Sequence, residues 1–384
     1  MRVKYFHHGL WPSASPSTTF VTWNCLGFAE IGADFELVTV RNSARDVASV
    51  LAEEFGITEP LRVRLLAAGM FRRSHRIVHV RAFLHLLFAR WDTLVTRNLG
   101  FLPWACLLRL LRGGTVVFES HDFFSDPNRS DLPAGRTARK QAGRERRWIP
   151  RVDGVICVSE PQRAYYRECY PGQVFLTALT GVKRPRTPVP RHAAAPLVGY
   201  IGTFDASRYD LDLMVRAIGL VAVPGVRLIM AGARDETEAG AMQARARALG
   251  VGDRVEVLAW QAPIALEELK ARLAVGLAPL ALTARNQIGS PLKVLEYLSA
   301  GIPVVGSDLA GIRALVDEGP CGLIAQDTPE SWADAIGRIL SQPALAESLS
   351  THGIARADSL SWAGRARRIL AFLADRRTAR ADAR

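Results

Sequence analysis

Short apolar, β-branched runs alternate along the chain with longer stretches of helical period, and this alternation predicts parallel strands joined by crossover helices. In the first half the runs fall at Val3–Phe6, Phe35–Val40, Thr93–Thr96, Thr115–Phe118 and Gly154–Val158. In the second they fall at Leu197–Ile201, Val226–Ala231, Arg254–Leu258, Val275–Leu280 and Pro303–Gly306. Two doubly wound units are therefore expected. Between them, Lys183 to Pro196 holds Pro185, Pro188, Pro190 and Pro196 without an apolar period, as an extended linker does. The boundary is set near residue 190, giving domains 1–190 and 191–384, with the final helix expected to pack back on the first. Two open parallel sheets joined in this way are expected to direct the carboxyl ends of their strands to one cleft, where ligands of such sheets bind.

Composition narrows the class. With 384 residues, 49% hydrophobic and 22% charged, the chain has the make-up of a globular protein of about two domains. The formal net charge is +12, and it is concentrated: residues 1–190 carry 27 basic and 16 acidic side chains, residues 191–384 carry 22 and 21. Such a field attracts nucleic acid, acidic lipid or phosphorylated substrates alike and says nothing about fold. The five cysteines are widely spaced and include no Cys-x-x-Cys pair, so neither a disulfide framework nor a zinc site is indicated, and a reducing cytoplasm is expected. The amino terminus lacks the apolar core of a signal peptide. The uncharged stretch from Gly9 to Ala29 contains Pro12, Pro16 and many hydroxyl residues, so no transmembrane helix is expected.

The segment Gly289-Ser290-Pro291-Leu292-Lys293-Val294-Leu295-Glu296 is the richest in candidate chemistry. A Gly-Ser-Pro turn opens a helix, Ser290 as a cap and Pro291 in its first turn, so that free backbone N–H groups form an anion site. Lys293 is expected to add a positive charge beside it. Glu296, one turn past Leu292, can accept two hydroxyl hydrogen bonds, as a ribose offers. An ordinary amphipathic helix with a surface Lys and Glu accounts for the same letters. The helix ends at Ala300-Gly301, and Pro303 begins a buried strand.

Here the sequence resembles the GT-B glycosyltransferases, in particular the retaining family 4 group (glycosyl transferases group 1) that uses nucleotide sugars. The segment is similar to that family's donor helix, whose glutamate binds the donor ribose while the preceding loop and helix terminus bind the diphosphate. Val198–Phe204 resembles the first strand and glycine turn of the family's C-terminal domain, around Gly202 and Thr203. Leu228–Gly232 resembles the next strand end, Val152–Glu160 the last N-domain strand, and Thr180–Val182 the hinge entry. The match is strong after residue 195 and weak before 110. It implies a GT-B α/β fold and a hexosyltransferase-type activity (EC 2.4) on a UDP- or GDP-type donor, with no cofactor and no metal. It also implies that His121, in Val116–Asp122, sits near the transferred sugar and the acceptor; a structural histidine paired with Glu119 is the alternative.

Departures from the family pattern are specific. The first of two acidic positions falls on Ile288, leaving Gln287 or a backbone amide near Gly289 as substitutes. The Arg and Lys that grip the diphosphate are Thr203 and Tyr209 here, so Arg208 and Lys293 become the candidate cations; Arg can fork a phosphate where Lys acts as a point charge. The turn at Ser17 and Thr18 after the first strand can offer N–H groups to phosphate. Trp260 and Gln261 are candidates for the nucleobase site. Asp210-Leu211-Asp212 reads as a helix cap rather than a metal site. Ser159 and Ser290 lack a nucleophile-elbow setting, and no P-loop or dinucleotide fingerprint occurs.

Leu61 to Arg90 interleaves seven arginines with apolar residues, the pattern of helices that lie on an anionic leaflet. It suggests peripheral attachment to the inner face of the cytoplasmic membrane and a lipid-linked or saccharide acceptor in surface polysaccharide or glycolipid assembly. Arginines that merely face water explain the same pattern. A nucleic-acid role is disfavoured because no aromatic platform accompanies the charge. A catalytically silent donor-binding subunit and a nucleotide-sugar epimerase are the alternatives.

Overall fold

A computed structural model of the protein describes residues 1–13, 15–67, 74–126, 130, 135–182, 196–261, 263–289, 291–316 and 320–382. The proline-rich stretch about residue 190 lies outside these, as does Ser290. The chain forms two compact units, Met1–Gly181 with Ser361–Arg384, and Val182–Leu360.

In unit 1 the elements run β1 (Val3–Trp11), α1 (Pro16–Glu30), β2 (Phe35–Arg41), α2 (Val47–Val50), β3 (Val63–Leu66), α3 (His75–Phe88), β4 (Thr93–Thr96), α4 (Leu102–Arg112), β5 (Thr115–Ser120), α5 (Arg136–Trp148), β6 (Gly154–Cys157), α6 (Glu160–Cys169) and β7 (Phe175–Thr177). The seven strands pair in the order β3-β2-β1-β4-β5-β6-β7, all parallel. Crossovers leave β1 in one direction and β4 in the other, so the topological switch lies between them. β4, β5 and β6 are buried along their whole length, as central strands covered on both faces are.

Unit 2 continues with β8 (Leu197–Ile201), α7 (Leu211–Leu220), β9 (Arg227–Ala233), α8 (Glu236–Ala248), β10 (Val255–Ala259), α9 (Pro263–Arg272), β11 (Val275–Ala278), α10 (Ala284–Ile288), α11 (Leu292–Ser299), β12 (Val304–Ser307), α12 (Ala310–Val316), β13 (Gly322–Ala325), α13 (Pro329–Ser341) and α14 (Pro343–Ser359). Its sheet is again parallel, β10-β9-β8-β11-β12-β13, with the switch between β8 and β11. The core is built from both sheet faces and α7 and α13, around Met214, Ile218, Met230 and Trp332.

The last helix, α15 (Trp362–Asp382), belongs to unit 1. Its buried residues Trp362, Arg365, Ala366, Ile369, Phe372 and Leu373 recur at helical spacing and form one face. That face lies on α1 so closely that a Cβ on Gly27 would meet the Trp362 backbone at 2.4 Å; only glycine allows the approach.

All ten expected strands are present, within a few residues at their ends. Three more were not anticipated: β3, β7 and β13. All three are edge strands only three or four residues long and largely half-buried, so none shows a long apolar run. β3 also corrects part of the reading of Leu61 to Arg90 as helical: Val63–Leu66 extends the sheet, α3 covers His75–Phe88, and residues 68–73 lie outside those described.

Candidate functional site

In unit 2 the site residues gather where β8 and β9 end beside α11. Gly232 has φ +125°, and a Cβ there would lie 2.5 Å from the Gly202 carbonyl oxygen, so the two strand ends approach as only glycine permits. The Gly202 N–H donates to the Ala231 carbonyl at 2.9 Å. The Tyr200 hydroxyl donates to the Thr203 carbonyl at 2.6 Å, which braces the turn and leaves Thr203 exposed.

Lys293 does not stand out from α11 as a surface cation. It is 8% exposed, and its Nζ lies 3.8 Å from the Tyr200 ring centroid and 3.6 Å from that of Tyr209. A Cβ on Gly202 would meet that Nζ at 2.7 Å, so the ammonium sits directly at the glycine turn. It has no hydrogen-bond partner among the described residues. Burial holds its pKa well below the usual lysine value, and only Glu296 opposes this by attraction. Two ring faces offset part of the desolvation. Tyr209, at the position where the resemblance implies Lys, thus supplies a ring from the loop before α7 to a lysine of α11.

Glu296 is exposed on α11, and Leu292 before it is 46% exposed. The helix starts at Leu292 with Pro291 as its flanking residue and no side-chain cap, one position later than the turn chemistry suggested. Ile288 is buried, so the place of the family's first acidic residue is filled by a side chain facing the core. Gln287 is engaged as well: its Oε1 accepts from the Ala310 N–H at 3.3 Å, at the start of α12. Arg208 pairs with Asp205 at 3.6 Å, and its carbonyl accepts from the buried Asn286 amide at 3.0 Å. Asp210 caps α7 through the Leu213 N–H, while Asp212 pairs with Arg245 at 2.6 Å. Trp260 follows β10 and is 69% exposed; the Gln261 amide turns back to the Ala259 carbonyl.

In unit 1, His121 follows β5. Its Nε2 lies 3.2 Å from Glu119 Oε1, and its side chain is 21% exposed. Glu119 is fully buried; it accepts from Tyr5 Oη at 2.5 Å and pairs with the fully buried Arg365 of α15, which also donates to Asn24 Oδ1 at 2.7 Å. Burial works against ionising Glu119, yet Arg365 and His121 hold its carboxyl well below the ordinary range. Burial, with Arg97 adding to it, lowers His121 to about 4 against the pull of Glu119, so the imidazole is neutral near pH 7. The Glu119 partnership read from sequence is therefore real, and it coexists with a partly open edge. Ser15 caps α1 by accepting from the Thr18 N–H at 3.2 Å. Thr18 is fully buried and its hydroxyl donates to the Leu10 carbonyl, so its polar groups hold the turn; Ser17 Oγ lies 3.1 Å from Ser15 Oγ.

Sequence reasoning missed Tyr200, Asn286, Phe20, Arg97 and Arg365. Arg365 alone left a signal, as a charge at an apolar-period position of a C-terminal helix.

Two parallel doubly wound sheets are the architecture of the GT-B glycosyltransferases. Residues 195–342 match the family described as Glycosyl transferases group 1. Sucrose-phosphate synthase from Thermosynechococcus elongatus has the same fold, with a TM-score of 0.69 at 18% identity over 97% of this chain and 98% of that one. HepE of Anabaena in complex with UDP-glucose superposes with a TM-score of 0.71 at 14% identity, covering 98% of this chain and 100% of that chain. Among curated relatives, the D-inositol 3-phosphate glycosyltransferase of Actinosynnema mirum is 34% identical over 119 residues, 30% of this chain and 27% of its own length. That of Nocardia farcinica is 26% identical over 183 residues, 46% and 39%. The chain thus matches well under half the length of these curated relatives. No helix among the described residues is long and apolar enough to cross a membrane.

Proposed function

We propose that this protein transfers a sugar from a nucleoside diphosphate sugar to an acceptor hydroxyl, with retention at the anomeric carbon. The observation that carries the reading is the buried, unpartnered ammonium of Lys293 at the Gly202–Gly232 turn, with the exposed carboxylate of Glu296 on the same helix. A diphosphate at the turn supplies the counter-charge that Lys293 lacks and favours its protonated form, and Glu296 receives the ribose hydroxyls. Lys293, the α11 amides and Arg208 then stabilise the departing diphosphate as charge develops on it, without a metal in this scheme. UDP is the donor of first choice, since a protein of this fold binds UDP-glucose. No general base is assigned; a donor phosphate oxygen can take the acceptor proton.

Glu296→Ala and Lys293→Ala test the site separately. Each is expected to weaken UDP binding and slow turnover by at least tenfold; near-wild-type values in both remove it. The inward-facing Ile288 favours a second reading, a donor-binding subunit without turnover, and slow hydrolysis of labelled UDP-sugar by the wild type excludes that reading.

The acceptor side of the proposal involves an anionic lipid surface. On α3, Val80, Leu84 and Phe88 are exposed at four-residue spacing, Phe88 by 82%; on α4, Leu107, Leu110 and Leu111 are exposed, Leu110 by 80%. Phe83 and Trp104 join the two helices with ring centroids 5.3 Å apart. Arg76, Arg81 and Arg112 lie on the same helices. Each cation near an anionic leaflet contributes about 1 kcal/mol. Leu84→Glu with Leu110→Glu is expected to abolish flotation with phosphatidylglycerol vesicles, and unchanged flotation refutes the surface.

A further inference from the structure

Residues Phe6, Thr96 and Phe118 pair across β1, β4 and β5. The next residues along these adjacent strands are His7 within β1, Arg97 just past β4 and Glu119 near the end of β5, none of which lies in the segment that matches the family. The Phe20 ring ties the group together. The guanidinium of Arg97 lies 5.2 Å from its centroid, that of Arg365 also 5.2 Å, and the His121 ring 4.5 Å.

The charges do not balance. Arg365 takes the single carboxylate, Glu119. Arg97 has no ion pair among the described residues, and its Nη1 is buried without a hydrogen-bond partner. His7 is 3% exposed, and both of its ring nitrogens lack partners. Buried polar groups are satisfied in the great majority of proteins, so several orphans at one place point to a ligand. The place is open: Arg97 and His121 are both partly exposed. A guanidinium fork recognises a tetrahedral oxyanion, and an imidazole can donate to one.

We propose that Arg97, with His7 and His121, forms a phosphate subsite in unit 1 that binds a phosphate ester carried by the acceptor. The acceptor role rests on the glycosyl-transfer reading; the phosphate chemistry does not. A phosphate there neutralises Arg97, accepts from its Nη1 and supplies His7 with a hydrogen-bond partner.

Binding of inorganic phosphate, glycerol phosphate and UDP, each measured by calorimetry on the full chain, tests this. In Arg97→Gln, affinity for inorganic phosphate and glycerol phosphate is expected to fall by roughly tenfold or more, the value of a charge-assisted hydrogen bond. UDP affinity is expected to stay within about twofold of wild type. Lys293→Ala is expected to show the reverse. Arg97→Lys keeps the charge without the fork, should fall between, and serves if the glutamine variant does not fold. Without ligand, Arg97→Gln should melt no lower than wild type, because it removes an uncompensated cation. Unchanged phosphate binding in the variant, or no phosphate binding by the wild type, overturns the subsite. Equal loss of phosphate and UDP binding assigns Arg97 to the donor and overturns the acceptor role, while failure of UDP to bind any form counts against the donor reading alone.

Discussion

Arg365→Leu should be among the most damaging single substitutions in unit 1. Arg365 and Glu119 are both fully buried, and Arg365 contributes a second hydrogen bond to Asn24. Removing one partner of such a pair leaves an uncompensated charge and costs about 3–5 kcal/mol. Glu119 would retain Tyr5 and His121, neither of which carries a full positive charge near pH 7. Unit 1 has roughly 200 residues, for which each kcal/mol shifts the midpoint by about 2–4 °C, so its transition should fall by about 6–20 °C. Adding Glu119→Gln neutralises the stranded charge and should recover half or more of the loss. Scanning calorimetry of wild type, both single variants and the double variant at pH 7 gives the coupling directly. A single-variant loss under about 1 kcal/mol, or a double variant no more stable than Arg365→Leu, would refute the reasoning, since either means the pair is hydrated or already neutral.

Three further outcomes follow from particular groups. Glu145 is fully buried and its pKa is pushed up to about 7, chiefly by burial against hydrogen bonds from Tyr166 and Ser125. The folded state therefore holds this proton more tightly than the unfolded chain, and the stability it lends below the ordinary carboxylate pKa is lost as pH rises through about 7. Glu145→Gln should accordingly gain about 2–3 kcal/mol on wild type between pH 5 and pH 8 in urea titrations, and a constant difference counts against it. Gly232→Ala places a methyl 2.5 Å from the Gly202 carbonyl oxygen and should destabilise unit 2 by about 1–3 kcal/mol while weakening UDP binding; an unshifted melt contradicts the close approach. Trp260→Ala should leave stability within about 0.5 kcal/mol, because the ring is mostly exposed, yet weaken UDP binding about tenfold if the ring meets the base. Equal UDP affinity in calorimetry removes it from the site.

The legible parts of this protein are those governed by local pattern. Buried parallel strands such as Val116–Phe118 and Val155–Ile156 announce themselves as apolar runs, because both faces must be covered. The short edge strands β3, β7 and β13 carry no such run, whereas β10, an edge strand of five residues, was legible. Helix α11 was legible from its turn, glycines and spacing, and Glu296 is exposed on it. Lys293 was found too, but its setting was not. Whether a lysine on a helix faces water or is enclosed depends on which residues the neighbouring strand and loop bring to it, here Tyr200 and Tyr209, more than eighty positions away.

By itself, then, the sequence determined two parallel α/β units, the α11 segment and its departures from the pattern it resembles, since these depend on periods, turns and motifs within a few residues. Tertiary structure alone decided the state of each charge. It enclosed Lys293 between two rings, joined Glu119 to Arg365 across 246 positions, and left Arg97 beside them without an ion pair among the described residues. The reason is that the free energy of a charge is set by burial and by neighbours within a few ångströms, and those neighbours are chosen by the fold rather than by adjacency along the chain.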